Sequence, residues 1–185
     1  ASLVTAALRE RGANVEWIDG DVADPVGAPL LSARVLAALP TTSWLHYVGH
    51  ARADEVGGWD SELVLAADGT MAIRVADVLA LPAVPPTVVL SGCETGVVDP
   101  QSLGGGMSLA HAFILAGAQV VVATTHEIGD EDAIALMGDL YGALEGLDGA
   151  AVPLAVRQAQ RRARARGAGT GAPAEAWRMV RAWVP

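Results

Sequence analysis

Short runs of apolar residues alternate along the chain with longer segments in which apolar residues recur every three or four positions. The short runs are typical of strands buried in a sheet, and the longer segments of helices that place one face on a core. Strands are predicted over residues 14–20, 43–50, 87–93 and 119–125. Helices are predicted over residues 2–12, 28–40 and 75–82, within 101–117 and 126–146, over 152–167 and after 173.

This alternation of helices and strands indicates an α/β domain with a mostly parallel central sheet and helices on both faces. Apolar runs on either side of Asp68-Gly69 add a hairpin to the pattern. No internal repeat or second domain is found, so residues 1–185 are predicted to form a single domain. Because the chain opens on a helix where such a sheet normally opens on a strand, we expect the first strand to lie outside this sequence.

The last third of the chain is predicted to be helical. Acidic residues open the helix within 126–146, where they interact favourably with the helix dipole. Its helical spacing predicts that it buries Ile134, Met137, Tyr141 and Leu144. The segment "GAGTGAP" at 167–173 is predicted to be a linker to a final helix that carries Trp177, Val180 and Trp183.

Composition and charge narrow the classes of function. The 185 residues are 52% hydrophobic, so the domain can bury a core without a metal or a disulfide. The single cysteine, the absence of a secretory leader pattern and the lack of a membrane-length apolar run predict a cytoplasmic protein with no membrane partner. The net charge of −9 argues against direct nucleic-acid binding. Five arginines within 157–166 are read as a solvated helix face, with a binding patch as the alternative.

Two predicted strands end on residues that can do chemistry. One ends at His50 and another at Cys93, each followed by a loop rich in small and polar residues. Ligands gather at the carboxyl ends of strands in open parallel sheets, and a thiol beside an imidazole suits nucleophilic acyl transfer. A lone cysteine is also commonly a buried small residue, and a histidine at a strand end can simply cap a loop. The pattern alone leaves both interpretations open.

Four motifs resemble, in their order and spacing, the CHAT domain: "LHYVGHA", "VVLSGCETG", "LGGGMSLAHAFILAGAQVVVAT" and "IGDEDAIALMGDLYGAL". That family comprises caspase-like cysteine peptidases related to separases and caspases, found mainly in bacteria beside TPR or other sensor modules. The resemblance covers residues 1–183 and is most specific over 45–144. It implies a caspase-like (caspase-hemoglobinase) fold and an intracellular endopeptidase that acts on a protein or peptide substrate without a cofactor. It also implies a larger, signal-gated protein, as in bacterial antiviral defence or regulated proteolysis.

The resemblance assigns a role to each residue of the site. His50 is expected to be the general base and acid, and Cys93 the nucleophile. The backbone N–H groups of Cys93 and Ala51 are expected to bind the oxyanion. The family usually has glycine where this chain has Ala51, and alanine keeps the donor while narrowing the allowed backbone conformations.

Substrate-binding residues are expected nearby. Ser91 resembles the residue that lines the first specificity pocket of caspase-like enzymes. Asp130 resembles an acid that receives a basic P1 side chain, which favours Arg or Lys at P1 over a medium apolar residue; a helix N-terminal acid is its alternative role. Trp59 is expected to wall the cleft or to cover a core edge. His126 stands where the family tends to be apolar and is expected to adjust specificity at the pocket rim.

Other chemistries are less well supported by the sequence. His46 and His50 would lie about 13 Å apart on a strand, too far to share a metal ion, so no metal is expected and His46 is read as a core residue. The glycines at 104–106 lack the spacing and the lysine of a phosphate-binding loop. A Rossmann-type nucleotide binder and a catalytically inactive interaction module remain the two alternatives to a peptidase.

Overall fold

The computed structural model describes residues 2–18, 28–54, 57–66, 71–97, 106–144, 146, 148–170 and 176–185. Within them the helices are α1 (Ser2–Glu10), α2 (Ala28–Ala38), α3 (Val75–Leu79), α4 (Leu109–Leu115), α5 (Asp130–Ala143), α6 (Val152–Thr170) and α7 (Ala176–Met179). Short 3-10 turns lie at Leu39–Thr41 and Gly149–Ala151. The strands are β1 (Trp44–Val48), β2 (Ala51–Arg52), β3 (Glu62–Val64), β4 (Ala72–Arg74), β5 (Thr87–Ser91), β6 (Val120–Thr124) and β7 (Val180–Trp183).

The main sheet has the strand order β1-β5-β6-β7. Strands β1, β5 and β6 pair in parallel, and β7 pairs antiparallel to β6. A second, antiparallel sheet is formed by β2, β3 and β4. The predicted α/β class with a mostly parallel sheet is therefore confirmed. The two apolar runs around the predicted hairpin pair as β3 and β4, while Asp68-Gly69 itself lies outside the described residues.

Strand β5 lies at the centre of the core. Its residues Val88, Val89 and Leu90 are no more than 1% exposed, and alternation along the strand sends them to opposite faces. Val89 packs into a cluster with residues of α1, α5 and α6. Val88 and Leu90 pack into a second cluster with residues of α3 and α4. Burying each of these side chains stabilises the fold by roughly 1.5–3 kcal/mol, so β5 is held on both edges and both faces.

The predicted C-terminal helix is wrong over most of its length. Helix α7 covers only Ala176–Met179, and the chain then forms β7. The reason is the edge of β6, where Val180 pairs with Thr124 and Ala182 with Val122. The predicted linker is also partly wrong, because α6 continues through Thr170 and only 171–173 of that segment lie outside the described residues.

The strand predicted over 14–20 is not formed where the structure describes it. Residues 13–18 are irregular, and residues 19 and 20 lie outside the described part. Strand β1 pairs only with β5 among the described residues, so segment 13–18 gains no ladder hydrogen bonds from it. Both segments instead line one cavity of about 750 Å³, together with parts of α1 and α2.

The burial predicted for α5 needs one correction. Met137, Tyr141 and Leu144 are buried as predicted, but Ile134 is 64% exposed. The helix begins at Asp130 and turns its Leu136 side to the core, so Ile134 falls on the solvent side.

Glycine is required at position 58, and the structure offers a matched control. Gly58 and Gly12 both adopt left-handed backbone conformations, with φ of +77° and +80°. A Cβ at Gly58 would overlap the carbonyl oxygen of Met107, whereas a Cβ at Gly12 would meet no atom within 4 Å.

We expect Gly12→Ala to lower the free energy of unfolding by about 1–2 kcal/mol, the cost of placing a Cβ in the left-handed region. Gly58→Ala should lower the free energy of unfolding by about 1–3 kcal/mol more than Gly12→Ala does, because the Met107 backbone must also move. Urea unfolding followed by circular dichroism measures both. Equal losses in the two variants would show that the contact between Gly58 and Met107 is not a tight one.

Candidate functional site

The carboxyl ends of β1 and β5 lie side by side. Val48 is the pairing partner of Ser91, and the Gly49 N–H donates to the Ser91 carbonyl at 3.4 Å. His50 and Cys93 each follow two residues beyond this pair, on strands that are hydrogen-bonded neighbours. Paired strands lie about 4.8 Å apart, so the topology brings the two predicted catalytic positions to one edge of the sheet.

The backbone of His50 is held while its side chain faces solvent. Its carbonyl accepts a hydrogen bond from the Val64 N–H at 2.9 Å, and the Tyr47 hydroxyl lies 2.5 Å from the same carbonyl and 2.7 Å from that of Val64. Burial raises the pKa of Tyr47 well above its usual value, so this hydroxyl keeps its proton and donates. His50 itself is exposed. The site therefore has a fixed main chain and an accessible imidazole.

Ala51, which is predicted to be one of the oxyanion donors, is the first residue of β2. It pairs with Leu63 in the antiparallel β2–β3 ladder, one residue beyond the hydrogen bond between Val64 and His50. Hydrogen-bonded and non-hydrogen-bonded positions alternate in such a ladder. The Ala51 N–H therefore points away from β3.

Cys93 is half-buried and opens the turn that follows β5. The next residue, Glu94, has φ of +57°, a left-handed conformation that is uncommon for a residue other than glycine. Among the described residues, the side chains of His50 and Cys93 make no hydrogen bond to each other. Catalytic hydrogen bonds are often long without substrate and tighten in the complex.

Two residues that hold this turn in place, Gly96 and Thr95, were not predicted from the sequence. Gly96 donates its N–H to the Thr124 carbonyl at 2.7 Å, and a Cβ at Gly96 would overlap the ring of Trp183. Thr95 is fully buried, and its carbonyl accepts from the Ala110 N–H at 3.1 Å. A threonine at the end of the apolar run "VVVAT", and another just after the only cysteine, were the available signals. The contact with Trp183 had no such signal, because the sequence pattern predicts a helix at Trp183 and not a strand.

The remaining predicted substrate residues lie on separate elements. Ser91 is the half-buried last residue of β5, two positions before Cys93. Trp59 is 56% exposed in the turn after Gly58, and Asp130 is the exposed first residue of α5. Within the described part of the chain, neither Trp59 nor Asp130 is hydrogen-bonded to His50 or Cys93. Their roles in substrate binding stay predictions.

The edge of the sheet near α5 is acidic. Asp130, Glu131 and Asp132 form the first turn of that helix, where negative charge is stabilised by the helix dipole. His126 is exposed after β6, with its Nδ1 3.0 Å from the Thr125 hydroxyl.

Other ligand classes find little support in the described residues. No group of three or more His, Cys, Asp or Glu side chains there could hold a metal ion. None of the described helices is both long and apolar enough to cross a membrane. All five arginines of α6 are exposed, and Arg166 forms an ion pair with Asp139 at 2.5 Å. Of the glycines at 104–106, Gly104 and Gly105 lie outside the described residues.

The chain matches a known protein family over most of its length. The protein-family model for the CHAT domain matches residues 4–174, which is most of the chain. The chain belongs to the CHAT domain family. This family is associated with caspase-like cysteine peptidases, so this CHAT domain is a peptidase-related module. No curated protein matches the chain.

His46 of this CHAT domain is a core residue rather than a ligand. Its ring stacks on Tyr141 at a centroid distance of 5.4 Å, and its Nδ1 lies 2.8 Å from the Tyr141 hydroxyl. That hydroxyl accepts a bond from Trp44 Nε1 at 3.2 Å, which leaves its own proton for His46. Although His46 keeps some exposed surface overall, its Nε2 is buried and has no partner among the described residues.

Burial lowers the pKa of His46 from 6.5 to about 3. Between these values the unfolded chain binds a proton that the folded protein does not, so stability falls as the pH drops from 6.5 toward 3. Through His46 alone, the free energy of unfolding then changes by up to about 1.4 kcal/mol per pH unit. We expect His46→Asn, which retains an acceptor for Tyr141, to flatten this acid limb in urea unfolding measured from pH 7 to pH 4. The same slope in both proteins would contradict a buried neutral His46.

Proposed function

We propose that this CHAT domain is a cysteine endopeptidase of caspase-like fold that hydrolyses peptide bonds through Cys93 and His50. The observation that carries the proposal is the placement of these two residues at the same offset beyond adjacent, parallel strands in a chain of this family. A fixed His50 backbone and an exposed imidazole add support.

In the proposed reaction, the Cys93 thiolate attacks the scissile carbonyl carbon, and a C–S bond forms while the carbonyl oxygen becomes an oxyanion. His50, which has taken the thiol proton, gives it to the leaving amine as the C–N bond breaks. Water then attacks the thioester, transferring a proton to His50, and the C–S bond breaks to release the acid. The oxyanion is bound by the N–H groups of Cys93 and Ala51, and the outward direction of the Ala51 N–H supports this role.

We propose a basic residue at P1. Its support is the row of exposed carboxylates that begins with Asp130, on the element that follows β6. Ser91, which is small and two positions before the nucleophile, would line the first specificity pocket, and Trp59 would wall the cleft. A cytoplasmic, signal-gated parent protein that carries a sensor module, with a role in bacterial antiviral defence, is proposed on the family resemblance alone.

Cys93→Ala should abolish cleavage of a peptide library that contains basic P1 residues, a loss of about 1000-fold or more, because no nucleophile remains. His50→Ala should lower kcat by about 100- to 10,000-fold. Both positions are at least partly exposed, so the urea midpoints should stay near that of the parent protein. The measurement is cleavage by the full-length protein with its activating partner present.

The companion variant is His126→Ala, since His126 is the other exposed histidine that follows a strand of this sheet. If His126→Ala abolished cleavage and His50→Ala did not, the general base would be His126, at the end of β6, and not His50. Cleavage that survives in Cys93→Ala would rule out the peptidase mechanism. An inactive interaction module predicts instead that His50→Ala leaves the alkylation rate of Cys93 by iodoacetamide at neutral pH unchanged.

A further inference from the structure

Two buried threonines lie beneath the turn that presents Cys93. Thr95 is 0% and Thr124 2% exposed. The Thr124 hydroxyl donates a short hydrogen bond to the Gly92 carbonyl. The Thr95 hydroxyl accepts from the Thr124 N–H at 3.1 Å and lies 3.4 Å from the carbonyls of Leu90 and Gly92. Buried polar groups are costly unless they are bonded, so the two hydroxyls and the turn hold each other in place.

Thr124 is bonded to this turn at three points. Besides the Gly92 carbonyl and the Thr95 hydroxyl, its own carbonyl accepts from the Gly96 N–H. The left-handed conformation of Glu94 is unfavourable for a residue with a Cβ, and it persists only where its surroundings determine it. The hydrogen bonds from the end of β6 therefore hold the turn after β5 in its conformation.

The Gly92–Cys93 peptide unit is clamped from both sides. On the β1 side, a Cβ at Gly92 would lie 2.8 Å from the Gly49 carbonyl oxygen and 3.3 Å from the Tyr47 ring. On the β6 side, the Gly92 carbonyl is bound by Thr124. Only glycine fits this space, and the peptide plane cannot rotate without breaking the bond to Thr124.

The direction of that plane sets the direction of the proposed oxyanion donor. In a trans peptide the C=O of one residue and the N–H of the next point in opposite directions, and no cis peptide is found among the described residues. With the Gly92 carbonyl directed at Thr124, the Cys93 N–H points away from β6. This N–H makes no hydrogen bond to any described residue, so it is free to donate.

We propose that Thr124 is a positioning residue for catalysis, whose hydroxyl fixes the Gly92–Cys93 peptide so that the Cys93 N–H binds the oxyanion. The inference rests on the proposed peptidase function. A donor already aimed at the oxyanion stabilises the transition state more than the neutral carbonyl of the bound substrate. A hydrogen bond accepted by the Gly92 carbonyl also polarises the amide and strengthens its N–H as a donor.

The direct test is Thr124→Val, which has nearly the same shape but lacks the hydroxyl, compared with Thr124→Ser, which retains it. We expect Thr124→Val to lower kcat by about 10- to 100-fold with KM changed less than about twofold, because the lost interaction is made only in the transition state. Thr124→Ser should recover kcat to within about threefold of the parent enzyme.

Thr87→Val is the matched control. Thr87 is buried to the same extent, 2% exposed, but starts β5 at the opposite end from Cys93. The same substitution there perturbs the core without reaching the turn, so kcat should not change. Urea midpoints for all variants confirm that each is folded under the assay conditions.

Two further readouts separate positioning from packing. Alkylation of Cys93 by iodoacetamide forms no oxyanion, so its rate should be the same in Thr124→Val and the parent enzyme. A peptide aldehyde with a basic P1 residue forms a tetrahedral adduct with the thiol, and its affinity should fall in parallel with kcat.

Equal losses of kcat in Thr124→Val and Thr124→Ser would overturn the inference, because the hydroxyl would then not matter. An alkylation rate that falls as much as kcat would also overturn it, since Thr124 would then act on the thiol itself. Failure of the peptidase proposal has a different signature, namely cleavage by the parent protein that persists in Cys93→Ala. An active enzyme with wild-type kcat in Thr124→Val would refute the role of Thr124 alone.

Discussion

The parallel pairing of β5 between β1 and β6 is the constraint on which the rest of this CHAT domain depends. The pairing fixes both edges of β5 while helices cover its two faces, so the turn that carries Cys93 leaves the sheet at one defined point. The same pairing places the loop with His50 on one side of that turn and Thr124 on the other. A shift of register by one residue would exchange the faces of β5 and separate the three chain segments.

The centre of the sheet is apolar and its carboxyl end is polar. The centre stabilises the fold, and the polar end orients the backbone of the loops that follow. Val88, Val89 and Leu90 contribute burial, and the hydrogen bonds at Tyr47 and Thr124 orient the peptide groups beyond them. Because a buried hydroxyl or carbonyl without a partner is costly, these bonds restrict the turn to one arrangement. Catalytic groups that must be in place before the substrate arrives benefit from such rigidity.

The acidic first turn of α5 lies on a different element from His50 and Cys93. The carboxylates that begin at Asp130 lie on the first turn of α5, where the helix dipole favours negative charge. Arg166 and its neighbours on α6 are exposed in the same domain, so the net charge of −9 is unevenly distributed.

Local pattern was enough to determine the α/β class, the buried strands β1, β5 and β6, and the presence of His50 and Cys93 at strand ends. These features follow from the spacing of apolar residues and from the chemistry of single residues, and both depend only on residues that are close together in the sequence. The type of the C-terminal segment was decided by the tertiary structure, because Val180–Trp183 fits a helix or a strand until the free edge of β6 selects the strand. The irregular segment 13–18 shows the opposite case, a strand pattern that has no ladder partner among the described residues. The roles of Thr95 and Thr124 likewise depend on contacts between residues 29 positions apart, and hydrogen bonds over such separations exist only once the sheet has formed.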